Sequence, residues 1–576
     1  INKNQSFPIH SNLHTNSAIS LENKYRQLNR AETNSIIWEE DFENGAEGWL
    51  IGDGWELTDS RYHSTSHSII SPDNNSNMDG YFMLFSPKIS LPEIGLNEWI
   101  YFTFWLYADI EITTLNPWEE ITKMAIGAVT PNFFETDYLF SAIINTIAFA
   151  MLGVSVGNLI GFFLALVFHI RFVRAACAFV RAIHELFWAL IFIQIFGLSA
   201  LTGILALAIP YSGIFAKVYS EILEEADTIS LNAIPKGTSH LSVFMYARLP
   251  DAWAHFKTYS LYRLECGLRS SAVLGFVGLP TLGFHLETAF AEGKYSEASA
   301  LLIIFFIIIA TIRKWSRTQL VPIYILASLI VIPWNLSDIS LVNIIRFFSN
   351  DILPHPIRVA QSIDVNVLVD LGIWTKTLFL DQALPGIIAT IILTQIALVG
   401  SGFLTLIMFP LISPKFFGTF GRGIGHVVLV ITRSTPEYIL ALICLLLWGP
   451  SMLPAIVALS LHNGAIIGHL IGRFTENMSL RPDRSKGINL YAYDILPRIY
   501  RQFLAFLFYR WEVIMRETAI LGILGIATLG FYIDSAFADL RYDKAMVLII
   551  LTAAMNLGID VLSRTIRSRL RLQTRI

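Results

Sequence analysis

Cysteine is scarce in this chain, charge is sparse, and the phosphate-binding signature of nucleotide hydrolases is missing. Its 576 residues include three cysteines, Cys177, Cys266 and Cys444, each in an apolar stretch without short metal-ligand spacing. That pattern reads as small buried hydrophobes rather than metal ligands. Asp, Glu, Lys and Arg make up 15% of the chain, against about 25% in soluble domains. With 54% hydrophobic residues and a mean hydropathy of +0.55, an ordinary soluble domain is excluded in favour of a membrane protein. No Gly-x-x-x-x-Gly-Lys-Ser/Thr loop occurs: the only Gly-Lys pair, Gly293-Lys294, has Thr288 where the first glycine belongs. Hydrolysis of ATP is therefore expected of separate subunits. No basic-plus-apolar leader opens the sequence either.

What is present is divided between two solvents. Residues 1–110 hold fifteen Asp/Glu against six Lys/Arg, and the remainder thirty against thirty-five. Apolar runs of the roughly 20 residues a bilayer requires fall near 139–168, 176–197, 199–221, 255–280, 297–312 and 319–335. A second set falls near 383–411, 425–448, 451–472, 503–530 and 545–562, which makes eleven expected spans, five plus one plus five. If these alternate, basic groups such as Arg171/Arg174, Lys236/Arg248/Lys257, Lys314/Arg317, Arg481/Arg484/Lys486 and the tail arginines all fall on one side. The positive-inside rule makes that side cytoplasmic. The N-terminal region and the 336–380 connection are then external and the C-terminus cytoplasmic. An external N-terminal region needs an exporting helix, which is expected ahead of Ile1 or to have been removed.

The acidic front end reads as β-structure. Gly48–Ile51, Gly80–Phe85 and Glu98–Trp105 are short, aromatic or β-branched, and separated by Asp, Asn, Ser, Gly and Pro. A small jelly-roll-like sandwich over 1–110, a fragment that stops short near Ile110, is the expectation.

Residues 259–303 align without gaps on 506–550 at an offset of 247. Tyr262-Arg263-Leu264-Glu265 matches Tyr509-Arg510-Trp511-Glu512, and Arg269 matches Arg516. Leu274-Gly275 and Leu282-Gly283-Phe284 match Leu521-Gly522 and Leu529-Gly530-Phe531. Upstream, Arg181-x-x-x-Glu185 matches Arg433-x-x-x-Glu437 at offset 252. The chain is a tandem duplication. Five spans per unit and one connecting span give both units the same orientation, related by an axis along the membrane normal. The expected divisions are 1–110 external, 111–317 first half, 318–382 link and connection, and 383–576 second half.

Between the third and fourth spans of the first half lies Glu221-Ile-Leu-Glu224-Glu225-Ala226 through Gly237, followed by Tyr246-Ala-Arg-Leu249-Pro250. This resembles the cytoplasmic coupling loop of ABC importer permeases, whose short helix docks on the ATPase. Gly237 permits the turn, and Pro250 is expected to end one element before the next span. In the second half the loop is about five residues shorter and its acids reduce to Glu476, ahead of Gly487 and Leu496-Pro497. More narrowly, Arg181–Phe192 and the repeated Tyr-Arg-x-Glu, Arg and Leu-Gly-x-x-Gly series resemble the phosphonate-type permease family.

The resemblance implies the five-span fold of type I ABC importers. It implies import of a phosphonate, phosphite or phosphate-type solute, delivered by an extracytoplasmic solute-binding protein. Two ABC ATPase subunits, or a homodimer, would bind ATP and magnesium, so this chain would need no cofactor and no nucleic acid. The expected fold class is an all-α polytopic membrane protein of the bacterial cytoplasmic membrane: two parallel five-helix repeats, a linking transmembrane helix and the external β-sandwich.

Charges within spans are costly and often functional. Arg181/Glu185, Arg433/Glu437, Glu265/Arg269 and Glu512/Arg516 are each four residues apart. They are expected to neutralise one another on one helical face, bracing a helix end or gating; Arg263 and Arg510 stand beside them. His184, His285, His462 and His469 read as isolated buried or interfacial histidines, with no metal site. A secondary transporter of parallel repeats is the alternative function, requiring unpaired midplane carboxylates. A membrane-anchored sugar-binding sensor is another, for which eleven spans are excessive.

Overall fold

The computed structural model describes residues 117–133, 138–225, 235, 238–332, 334, 340–360, 364–449, 451–480 and 487–571, with four strand segments in the first 110 residues. The chain divides into two compact units, Ile1–Glu111 and Ile112–Ile576. In the first, β1 (Leu50–Ile51) pairs antiparallel with β4 (Leu84–Phe85), and β2 (Glu56–Thr58) with β3 (Ser68–Ile70). These are two separate two-stranded sheets, so the expected sandwich does not appear among the described residues. The strand expected at Glu98–Trp105 lies outside them.

The second unit is all helix among its described residues. It opens with α1 (Pro117–Val129) and α2 (Leu139–Leu166). Then come α3 (Arg171–Ala182), α4 (Glu185–Phe196), α5 (Ala200–Glu225), α6 (Leu249–Val273), α7 (Leu282–Ala291), α8 (Tyr295–Trp315) and α9 (Val321–Val331). After two short helices follow α10 (Val365–Leu378), α11 (Leu384–Met408), α12 (Thr419–Ser434), α13 (Glu437–Trp448) and α14 (Met452–Glu476). The chain closes with α15 (Leu496–Leu521), α16 (Leu529–Ala538) and α17 (Tyr542–Arg569). From α2 to α8 and from α11 to α17 the order, lengths and breaks repeat. The main hydrophobic core draws on both sets, and Phe276 of the first meets Tyr438 of the second edge to face at 4.6 Å.

Among the described residues, six helices are long and apolar enough to cross a bilayer, or up to nine spans if each bent pair counts as one. This corrects the eleven expected. The runs at 176–197 and 425–448 are not single helices: α3 meets α4 at 92° and α12 meets α13 at 91°. The linking helix α9 has 11 residues, about 16 Å, too short to cross roughly 30 Å of hydrocarbon. Conversely, residues 365–380, expected in an external connection, are helical and belong to a 48-residue apolar stretch, Val365–Ile412.

The two breaks have different chemical causes. In the second half, Pro436 lacks an N–H and pushes Thr435 to extended backbone (φ −67°, ψ 121°). In the first, His184 caps the new helix, its Nδ1 accepting from the Leu186 N–H at 3.2 Å. Beyond the breaks, α4 and α13 end alike, at Gly197 and Gly449 with φ of 65° and 73°.

The repeated Leu-Gly and Leu-Gly-Phe segments have a steric reason. A Cβ on Gly283 would overlap the carbonyl oxygen of Ala272, and one on Gly530 that of Ala519. Here α7 and α16 begin directly against the ends of α6 and α15. The start of α7 is pinned from α2 and that of α16 from α11. Thr146 Oγ1 accepts from Leu282 N at 2.8 Å, and Thr390 Oγ1 from Leu529 N at 3.0 Å.

One position departs from the repeat at a cost. Leu540 has φ 54° where its counterpart at offset 247, Gly293, has φ 69°. A left-handed conformation costs an L-residue roughly 1–2 kcal/mol, and Leu540 is 66% exposed, so little packing offsets it. Leu540→Gly is expected to stabilise the chain by up to about 1 kcal/mol; a lower melting temperature in detergent would count against this.

Candidate functional site

Of the charged side chains expected to pair within each helix, Arg181 instead forms ion pairs across the two halves. The bends separate Arg181 from Glu185 and Arg433 from Glu437, so helical i,i+4 geometry does not apply to either. Arg181, at the end of α3, reaches into the second half. Its Nη1 lies 2.9 Å from Glu512 of α15 and its Nη2 2.8 Å from Asp560 of α17. The three side chains are 12%, 21% and 3% exposed. Arg564 also binds Asp560, at 2.8 Å.

The same breaks leave backbone carbonyls without helical partners. Arginines from the opposite half fill that need. Arg516 of α15 donates to the carbonyl of Arg181 at 3.2 Å, and Arg269, its counterpart in α6, donates to the carbonyl of Arg433 at 3.4 Å. Asn556 donates to the Ala182 carbonyl at 2.7 Å, and Tyr542 to Gln194 at 2.6 Å. The bent helices are thus where each half grips the other. Arg181 has left Glu185 for the opposite half, while half-buried Glu265 stays near enough for its charge to act on Arg269.

The remaining members fall beside this seam. Glu185 accepts from Ser270 at 2.6 Å, and Glu437 stands 3.8 Å from His462. Arg510 donates to Asn463 at 2.6 Å and to Glu517 at 3.4 Å. Its counterpart Arg263 is held by Tyr259, donating to the phenol oxygen at 2.7 Å and lying over the Tyr259 and Tyr262 rings. His462 therefore sits between carboxylates, unlike the isolated histidine expected.

The residues expected to form the coupling loops lie on other parts of the helices. Glu221, Glu224 and Glu225 are exposed on the last turns of α5, while Ala226 and Gly237 lie outside the described residues. Pro250 and Pro497 do not end an element: each sits in the first turn of its helix, after Leu249 or Leu496. The residues just before, Phe244–Arg248 and Leu490–Ile495, widen into π-helical turns, as a proline ring crowding the carbonyl four residues back requires. These turns hold Tyr246 and Tyr493 out, 84% and 81% exposed. Glu476 is bound at 3.1 Å by Arg422, and Gly487 has φ 62°.

Sequence reasoning missed Asp560, Asn556, Ser270, Asn463 and Glu517 as members of the seam. Asp560 and Glu517 carried a signal, since each is an acid inside an apolar run. Pro436 announced the break in the second half.

A phosphate-import permease of Mycolicibacterium smegmatis is 25% identical over 427 residues, 69% of this chain and 77% of its own. A phosphite transport system permease of Stutzerimonas stutzeri is 28% identical over 225 residues, 37% of this chain and 81% of its own. A cryptic phosphonate transport system permease of Escherichia coli is 29% identical over 114 residues, 20% of this chain and 93% of its own. The first alignment is longer than either half; the second has about the length of one. No family model matches the chain.

Proposed function

We propose that this chain, a member of the phosphonate-type ABC permease family and the membrane-spanning permease of an ABC importer rather than an enzyme, takes up a phosphorus oxyanion: a phosphonate, phosphite or phosphate. One observation carries the choice of an anionic cargo. Arg263, Arg269 and Arg516 have no ion-pair carboxylate among the described residues. Two of them stand where the halves meet. A guanidinium presents a planar fork of donors suited to phosphorus oxyanions. These half-buried arginines hydrogen-bond to neutral acceptors and have carboxylates only at longer range, which leaves donors that a visiting anion can take.

The mechanism is alternating access. A solute-binding protein delivers the cargo on the outer face, and two ATPase subunits, which bind ATP and magnesium, dock at the Tyr246 and Tyr493 turns. Closure of the ATPases rocks the two halves about their pseudo-twofold axis, and the cross-half hydrogen bonds at the bent helices exchange as the pathway opens. Lys/Arg placement supports a bacterial cytoplasmic membrane location with residues 1–110 external and the C-terminus cytoplasmic. Glu221, Glu224 and Glu225 support a stronger ATPase contact in the first half, because Glu476 is already engaged by Arg422.

The reading is tested in proteoliposomes containing the chain with its co-purified ATPases and a binding protein. ATP-dependent uptake of labelled phosphate, phosphite or methylphosphonate is expected. Arg269→Gln and Arg516→Gln should each cut that uptake at least tenfold while basal ATPase activity persists. Absence of ATPase subunits after gentle extraction, or uptake unaffected by both substitutions, would overturn it.

A further inference from the structure

We propose that Glu437, His462 and Glu517 form a binding site for one divalent first-row metal ion, present in the second half alone. Glu437 opens α13, His462 lies midway along α14, and Glu517 is near the end of α15. One ligand atom from each lies within 4.8 Å of the others.

The hydrogen bonds around the trio fix what it presents. His462 Nδ1 is 2.9 Å from the Thr435 carbonyl. A carbonyl only accepts, so Nδ1 carries the proton. In the neutral ring Nε2 is then a lone pair, directed toward Glu437 Oε2 at 3.8 Å and without a hydrogen bond among the described residues. Metal-ligating histidines are oriented in this way, by a carbonyl on the opposite ring nitrogen. Glu517 is anchored from behind, accepting from Asn463 at 3.0 Å and from Arg510 at 3.4 Å. Two carboxylates and an imidazole lone pair thus converge with no donor between them. His462 is 2% and Glu517 8% exposed, so water screens their repulsion poorly. Arg510 offsets part of the charge on Glu517, and a divalent cation at the centre would offset the remainder. Metal–ligand bonds of about 2.0–2.2 Å need only a small contraction of the trio.

The first half supplies the comparison. The positions equivalent to Glu437, His462 and Glu517, at offsets of 252, 252 and 247, are Glu185, Pro210 and Ser270. There the Ser270 hydroxyl donates to Glu185 at 2.6 Å, closing the same place with a hydrogen bond in place of a second carboxylate. The fold does not demand a ligand set at this point; only the second half has one. Nitrogen and oxygen donors with coordination positions left over suit zinc, cobalt or manganese.

The test uses the full chain in detergent, stripped with EDTA and without cargo, ATPase or binding protein, so that its outcome is independent of the importer reading. Equilibrium dialysis against Zn²⁺ is expected to give one ion per chain, and Co²⁺ a visible absorption band. His462→Gln and Glu517→Gln should each weaken binding at least tenfold. Zn²⁺ should raise the melting temperature of the unaltered chain but not of these variants. His426→Gln, which alters the nearby His426–His469 ring pair, should leave the stoichiometry at one. Absence of stoichiometric Zn²⁺ on the unaltered chain would overturn the site, leaving a protonated His462 bridging the carboxylates. So would binding lost with His426→Gln and kept with His462→Gln.

Discussion

Arg181→Met is expected to abolish transport and to destabilise the detergent-solubilised chain by about 3–5 kcal/mol, the usual cost of stranding a buried charge. Among the described residues Arg181 is the cation that ion-pairs with Glu512, and it shares Asp560 with the half-exposed Arg564. Methionine keeps most of the apolar stem and removes the charge, leaving Glu512 without its ion-pair partner. Arg181→Lys should recover only part of the loss, because one ammonium cannot reproduce two hydrogen bonds to carboxylates on different helices. Neutralising the stranded acids in Arg181→Met/Glu512→Gln/Asp560→Asn should restore much of the melting temperature but not uptake. Melting curves and uptake on the same preparations separate the two effects. A melting temperature for Arg181→Met equal to that of the unaltered chain would defeat the prediction.

Gly530→Val is expected to prevent accumulation of folded chain. A Cβ at this position overlaps the Ala519 carbonyl oxygen, and backbone cannot move aside as the tip of a flexible side chain can. Overpacking of this kind usually costs about 1–3 kcal/mol and occasionally more. Here the start of α16 is also held by Thr390, so relieving the overlap breaks that contact as well. Gly283→Val should behave alike, since Gly283 meets the Ala272 carbonyl in the same way. Gly558→Ala, with nothing near its Cβ position, should leave the yield unchanged. Monodisperse yield after size-exclusion chromatography reads all three; normal yield from either valine variant would contradict the packing argument.

Much of the architecture was legible because a duplicated sequence states its symmetry twice. The offset of 247 identified equivalent glycines, arginines and loop prolines before any coordinates. Pairing the charges was a different matter. Arg181 and Glu185 have ideal helical spacing, yet the chain bends between them. In the first half only a histidine cap marks the bend, a weak signal beside Pro436 in the second. Counting spans failed for the same reason, since hydropathy registers an apolar run whether it is one helix or two meeting near a right angle.

The sequence by itself determined that the chain is a membrane-embedded tandem repeat, because solvent preference and internal similarity are properties of composition and order. Only the tertiary structure decided which charge meets which: Arg181 with Glu512 and Asp560, Arg269 and Arg516 with carbonyls of the opposite half, and His462 between two carboxylates. Ion pairs and ligand sets depend on distances between helices remote in the chain. Those distances are set by where helices break and how the two halves pack, which residue spacing does not encode.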